Sequence, residues 1–245
     1  MTRVAVVTGA SGGLGQAVSI RLAAAGYTVV RVGRDAQRLR ATDAGDLHVI
    51  GDCSTEAGAE AVFDEIRAKW GQPEALAACA GAILVAPLHR TTEDQFRECF
   101  AANVDTAFFT LRAFVQGLRA AESPGAAVLV SSVAARIGIQ NHEAVAAAKG
   151  AIEALVRSSA ATYAAARIRV NAISPGMMAT PATAQFLRSE QGRHAMAAQY
   201  PLGRYGEAAD AAAAITWLLS PDADWVSGQI LSVDGGYTAI RPMVR

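Results

Sequence analysis

The sequence predicts an α/β fold: one doubly wound domain over residues 1–245, with about seven parallel strands covered by helices on both faces. Three observations carry this. Short apolar runs alternate with longer stretches of helical period. The runs are apolar almost throughout, as strands buried on both faces are. A glycine-rich turn joins the first run to the first helical stretch.

The strand runs are Val4 to Val7, Thr28 to Val32, Leu47 to Ile50, Ala75 to Cys79, Ala126 to Val130, Ile168 to Ile173 and Ile230 to Val233. Between the first two, Leu14, Ala17, Val18 and Leu22 recur at helical spacing and Gly26 follows as a stop, which completes a βαβ unit. Two long helices are expected, from Glu93 to Leu118 and from Glu143 to Ala165. The first carries Phe96, Phe100, Phe108, Leu111 and Val115, whereas the second is largely Ala. The Ala-rich tract from Ala208 to Ala214, flanked by Glu207 and Ile215 to Leu219, reads as an amphipathic helix.

Composition narrows the function. Twenty-two basic residues balance 22 acidic ones, so no global field draws nucleic acid or an anionic membrane. Small molecules and other subunits are the expected partners. Cys53, Cys79 and Cys99 are an odd number without metal-ligand spacing, which points away from a disulfide scaffold or a metal site and toward a reduced cytoplasmic setting. The first turn arrives by Gly9, too soon for a signal-peptide apolar region, and no apolar run approaches ~18 residues.

The segment Thr8-Gly9-Ala10-Ser11-Gly12-Gly13-Leu14-Gly15 lies where a dinucleotide pyrophosphate would meet unpaired N–H groups and the positive end of a helix. About twenty residues on, the second strand ends in Arg31-Val32-Gly33-Arg34. An acidic residue there would bind the 2′-hydroxyl of NAD. Gly33 leaves space instead, and Arg34 offers a charged fork to a 2′-phosphate, so NADP(H) is the expected cofactor; the competing reading makes Arg34 a solvated strand-end charge. Asp52 is either an acceptor for the adenine amino group or a turn residue.

With these motifs stand Gly51-Asp52-Cys53, Asn103-Val104, Val130-Ser131-Ser132, Lys149, Arg169 to Gly176, Pro201 to Gly206, Ser227-Gly228-Gln229 and Val233 to Gly236. Over practically its whole length the chain resembles the short-chain dehydrogenase/reductase family, nearest to its acyl-carrier-protein ketoreductase and sugar or steroid dehydrogenase members. The resemblance implies a Rossmann-like sheet and an oxidoreductase of carbonyl or hydroxyl groups. It implies that Lys149 binds the nicotinamide ribose, that Ser132 holds the substrate oxygen and that Asn103 positions a water in a proton relay. It also places Gly9, Ser11, Gly13, Leu14, Gly15, Cys53, Ala80, Gly81, Pro175, Gly176, Met178 and Thr180 along the cofactor, and a variable substrate lid at about 177–206.

The pattern breaks in two places. The family sets a Tyr four residues before its Lys, one turn away on the same helix face; here that residue is Val145. An isopropyl group gives no proton, and losing a positioned acid costs roughly 10² to 10⁴ in rate. Where the family has Asn-Asn-Ala-Gly on its fourth strand, this chain has Ala78-Cys79-Ala80-Gly81. His142, seven residues before Lys149, is a candidate substitute acid, although Asn141-His142-Glu143 also reads as an ordinary helix entry.

Two readings result. One is an NADP(H)-dependent oxidoreductase with a non-standard proton donor. The other is a catalytically silent subunit that keeps the cofactor and pairs with an active relative. By the resemblance, the two long helices pair subunits in a homo-oligomer, or in a hetero-oligomer with a related chain.

Overall fold

A computed structural model of the chain describes residues 3–41 and 47–241. Seven strands form one all-parallel sheet: β1 (Arg3–Thr8), β2 (Tyr27–Gly33), β3 (His48–Ile50), β4 (Ala75–Ala78), β5 (Gly125–Val130), β6 (Ile168–Pro175) and, numbered last in the chain, β9 (Ile230–Val233). Their order is β3-β2-β1-β4-β5-β6-β9. The chain works outward from β1 to β3, then crosses back to β4 and works outward the other way. That reversal opens a crevice beyond the carboxyl ends of β1 and β4, where ligands of such sheets bind.

Alternation along each strand splits the core into two layers. Val4 and Val6 of β1, Val30 and Val32 of β2, and Ala127 and Leu129 of β5 face α3 (Glu56–Trp70), α5 (Thr106–Ala120) and α6 (Glu143–Tyr163). Ala5, Val7, Val29, Ala126 and Val128 face the opposite way, onto α1 (Gly13–Ala24), α2 (Ala36–Arg40) and α8 (Ala208–Leu219). Small residues on α8, Ala211 and Ala212, are fully buried between helix and sheet.

Four boundaries differ from expectation. The helix expected without interruption from Glu93 to Leu118 is α4 (Glu93–Phe100), a π-helical segment Ala101–Asp105, and α5. Asn103 explains the break: its side-chain N–H groups donate to the carbonyls of Cys99 (2.8 Å) and Ala82 (3.0 Å), inserting an amide into the helical ladder. Cys79 lies outside the fourth strand, because its N–H turns back to Ala77 and leaves the ladder at Ala78. The sixth strand runs on to Pro175, two residues past the apolar run, and α6 gives way at Tyr163 to a 3₁₀ turn over Ala164–Ala166. Two-residue strands β7 (Met178–Ala179) and β8 (Gly206–Glu207) pair with each other and close a loop that carries α7 (Glu190–Ala197). Among the described residues no helix is long and apolar enough to cross a membrane.

Close approach at the crevice depends on Gly9. Its φ is +63°, and a Cβ there would sit 2.6 Å from the backbone nitrogen of Ala80, just past β4. Gly150, on α6, has open space where a Cβ would go. Gly9→Ala is expected to destabilise the fold by roughly 1–3 kcal/mol, and Gly150→Ala to stabilise it by roughly 0.5–1 kcal/mol. Thermal unfolding of the two variants checks the opposite signs.

Candidate active site

The crevice is a cavity of about 390 Å³. The β1–α1 turn (Gly9, Gly12, Leu14, Gly15) forms one end, Val130 to Ala134 and the α6 residues Val145 and Lys149 a side, and Pro175 to Met178 with Thr180 another. Ile83, Ile139, Phe186, Met196 and Gln199 close it over. Among the described residues no carboxylate side chain lines it.

At the first end, α1 begins without a side-chain cap: Gly12 is the N-cap residue and the first turn holds no acid. The orphan N–H groups and the positive helix end therefore face the cavity unneutralised, as an anion requires. This donor set fits a dinucleotide pyrophosphate. Gly13 packs against Thr180, where a Cβ would come 3.1 Å from the threonine Cβ, so the turn and the loop after β6 are closely apposed.

Arg34, Asp52 and Cys53 sit to one side, at the ends of β2 and β3. The guanidinium of Arg34 is exposed and 3.8 Å from Asp52, whose other oxygen accepts the Ser54 N–H. Asp52 thus has the geometry of its turn reading. A Cβ on Gly33 would lie 3.9 Å from the Ser11 hydroxyl, so Ser11 borders Gly33, the residue before Arg34. Cys53 is buried in the core and its thiol is pushed up to about 11, mainly by that burial.

Lys149 and Val145 lie one turn apart on the same face of α6, and both are buried. Lys149 is 7% exposed, and Nζ donates to the Val130 carbonyl at 2.8 Å. Burial lowers its pKa to about 8; the thiols of Cys99 and Cys79 act weakly in the other direction. Cys79 lines the same cavity, and desolvation pushes its thiol up to about 12, which keeps it protonated and unreactive. Val145 packs with Cys99, Ala144 and Ala148, against Leu84, Phe100 and Val104.

Ser132 starts a 3₁₀ turn and its Oγ accepts the Ala134 N–H at 3.1 Å, which leaves its own hydrogen available to the cavity. Asn103 stands behind Gly81: a Cβ there would meet Asn103 Oδ1 at 2.8 Å and Lys149 Nζ at 3.2 Å. Because the Asn103 amide bonds both the N–H and the carbonyl of Ala82, it fixes the segment after β4. His142 lines the cavity from the N-cap position of α6, with Nδ1 2.7 Å from the Gln140 carbonyl. A carbonyl only accepts, so Nδ1 carries the proton in the neutral ring.

Two features escaped the sequence. Tyr200 is buried with its ring centroid 4.9 Å from that of Tyr237, and its hydroxyl accepts the Met177 N–H at 2.7 Å. Glu153 lies beneath the site, accepting from Ser131 (3.0 Å) and Arg136 (3.1 Å). Glu153 had no signal beyond residue type, and Tyr200 only its place in the lid segment, where any polar residue could meet a substrate. Among the described residues no group of His, Cys, Asp and Glu is arranged to hold a metal.

A family model described as Enoyl-(Acyl carrier protein) reductase matches residues 9–238. The cis-4-hydroxycyclohexanecarboxylate dehydrogenase of Sinomonas cyclohexanicum is 39% identical to this chain, with 97% of each chain covered. The 2-(R)-hydroxypropyl-CoM dehydrogenase of Xanthobacter autotrophicus is 34% identical, over 98% of this chain and 100% of its own. The solved ligand-free aldohexose dehydrogenase of Thermoplasma acidophilum matches with a TM-score of 0.90 and 25% identity, covering 100% of this chain and 97% of its own.

Lys149 titrates lower in the folded chain than when unfolded, so between about pH 8 and 10.5 the unfolded chain holds more protons. Raising the pH across that window stabilises the fold, and below it the full cost of the buried ammonium, of order 3 kcal/mol, is present. The wild type is expected to gain up to that amount relative to Lys149→Met from pH 8 to 10.5. Urea denaturation at several pH values checks it; a difference that stays flat contradicts the burial of this charge.

Proposed function

Because the chain belongs to the short-chain dehydrogenase/reductase family, oxidoreductases of hydroxyl and carbonyl groups, we propose that it is an NADP(H)-dependent enzyme interconverting a secondary alcohol and a ketone, with a non-standard proton donor. One observation supports this above the rest: a single cavity joins the uncapped end of α1 to Ser132 and Lys149. A nicotinamide cofactor bound there supplies and accepts hydride. Gly9 and Gly12 to Gly15 hold its pyrophosphate, with Pro175, Gly176, Met178 and Thr180 against its nicotinamide end and Ala80 and Gly81 between. Ser132 donates to the substrate oxygen, and Asn103 positions the backbone beside it.

The preference for NADP(H) rests on Ser11, Gly33 and Arg34, which leave room and positive charge for a 2′-phosphate at the end of β2. The substrate reading rests on the cavity wall. Ile83, Ile139, Val145, Phe186 and Met196 offer apolar surface, and among the described residues Lys149 and His142 are its sole basic side chains. A neutral ring-bearing ketone or alcohol suits such a wall, and the Sinomonas relative carries a hydroxycyclohexane in its name. Residues 177–206 form the lid over it. The exposed Phe96 and Phe108 on α4 and α5 support an oligomer, and three free cysteines support a cytoplasmic setting.

Val145 supports the second reading, a silent subunit that pairs with an active relative. Fluorescence titration with NADPH and NADH, followed by turnover of cyclohexanone and cyclohexanol, separates the two. The enzyme reading expects binding and turnover, whereas the silent subunit binds without turnover. Arg34→Ala is expected to weaken NADPH binding by roughly 10- to 100-fold, the value of a charge-assisted contact, and to leave NADH binding nearly unchanged. Equal loss for both cofactors contradicts the assignment of Arg34.

A further inference from the structure

Reduction of a ketone ends with a proton on oxygen, and the side chain at position 145 has none to give. Resting on the oxidoreductase reading above, we propose that the Lys149 ammonium is itself the proton donor in reduction and, as the neutral amine, the proton acceptor in oxidation.

The geometry around Nζ carries the argument. Lys149 lines the cavity beside Val145 and Ser132. Among the described residues Nζ makes one hydrogen bond, to Val130, so two of its three N–H bonds have no protein acceptor. Val145 stands one turn before it on the same face and ends at its methyl groups, packed with Cys99 and Ala148. Both it and Ser132 line the same cavity.

The charge environment suits an acid rather than a fixed cation. Cys79, just past β4, and Cys99, on α4, are the titratable groups that act on the ammonium, and burial keeps both thiols protonated. Glu153, one turn farther along α6, is engaged by Ser131 and Arg136 and lies 3.8 Å from Arg157. His142 and Tyr200 also line the cavity, but the first is two turns away, about 10 Å along the helix, and the hydroxyl of the second is held at the Met177 N–H. With no carboxylate partner, burial brings Lys149 to about 8, where both protonation states are accessible near neutral pH.

In the reducing direction the carbonyl carbon takes a hydride, with its two electrons, from the reduced nicotinamide, and a C–H bond forms. The π pair of the carbonyl moves to oxygen, an N–H bond of Lys149 breaks, and the proton joins that oxygen. The products are the alcohol, the oxidised nicotinamide and a neutral amine, which solvent reprotonates. Oxidation is the reverse.

The test compares wild type with Lys149→Arg, which keeps the positive charge and does not titrate in the working range. In wild type, kcat for NADPH-dependent reduction of cyclohexanone is expected to fall as pH rises through about 8, and kcat for cyclohexanol oxidation to rise through the same pH. Lys149→Arg should lower kcat roughly 10²- to 10⁴-fold and remove that limb. A readout on the unmodified wild type needs neither turnover nor a folded variant: the rate at which acetic anhydride acetylates Lys149, followed by peptide mass spectrometry, should have its midpoint near pH 8. A limb that survives Lys149→Arg, one that vanishes in His142→Ala or Tyr200→Phe, or an acetylation midpoint at the ordinary 10.5 overturns the proposal and leaves the oxidoreductase reading standing. If neither NADPH nor NADH binds and nothing turns over, the reading falls and the proposal with it.

Discussion

The site depends on one close approach, that of the β1–α1 turn to the chain leaving β4. Only a residue without Cβ and with positive φ fits at Gly9, and Gly15 is pressed against the Gly9 carbonyl in the same way. Contact at this point brings the bare N-terminus of α1 to the mouth of the crevice. It also fixes where Ala80, Gly81 and Ala82 run, and so where Asn103 can clamp them. Because all strands point the same way, their carboxyl ends deliver Val130, Ser132 and Pro175 to one rim. Two helix-and-sheet layers, independent in their cores, therefore meet in a single functional surface.

Within that surface the costly group is Lys149. An ammonium buried against thiols and aliphatic side chains has lost its hydration and gained one carbonyl in return. Gly81 permits the burial, since a side chain there would press on both Asn103 and Lys149. The π-helical break serves the same end. It turns Asn103 inward to hold the loop beside the lysine, at the expense of regular helix bonding in α4–α5. An interrupted helix and a poorly solvated cation at one spot are a combination that stability alone does not call for.

Most of the architecture was legible because it follows from periodicity. The seven apolar runs became the seven strands of one sheet, and the helix at Leu14 to Leu22 became α1, since strand and helix repeats differ too much to be confused over several residues. What escaped depends on contacts far apart in sequence. The partners of Asn103, Ala82 and Cys99, are set by packing, and Cys79 read as strand because an apolar type does not reveal where a ladder ends. Arg31 sits mid-strand yet is 1% exposed and donates to the Leu39 carbonyl, a burial no composition rule anticipates. Residue type and spacing placed Lys149 and Val145 on one face, but the lysine's single acceptor and its neighbouring thiols emerged only from the fold.

Those thiols tie the two departures from the family pattern into one physical change. Ala78-Cys79 stands where the resemblance sets two Asn side chains, and Val145 where it sets a Tyr. An amide or a phenol beside Lys149 would hydrogen-bond to it and stabilise its charge; a thiol and an isopropyl group do neither to a comparable degree. Around the lysine, Cys79 and Val145 present a thiol and an isopropyl group, so its charge is left to burial and the Val130 carbonyl. Where the resemblance sets a phenol, this chain has an isopropyl group, and burial alone lowers the pKa of the lysine one turn away.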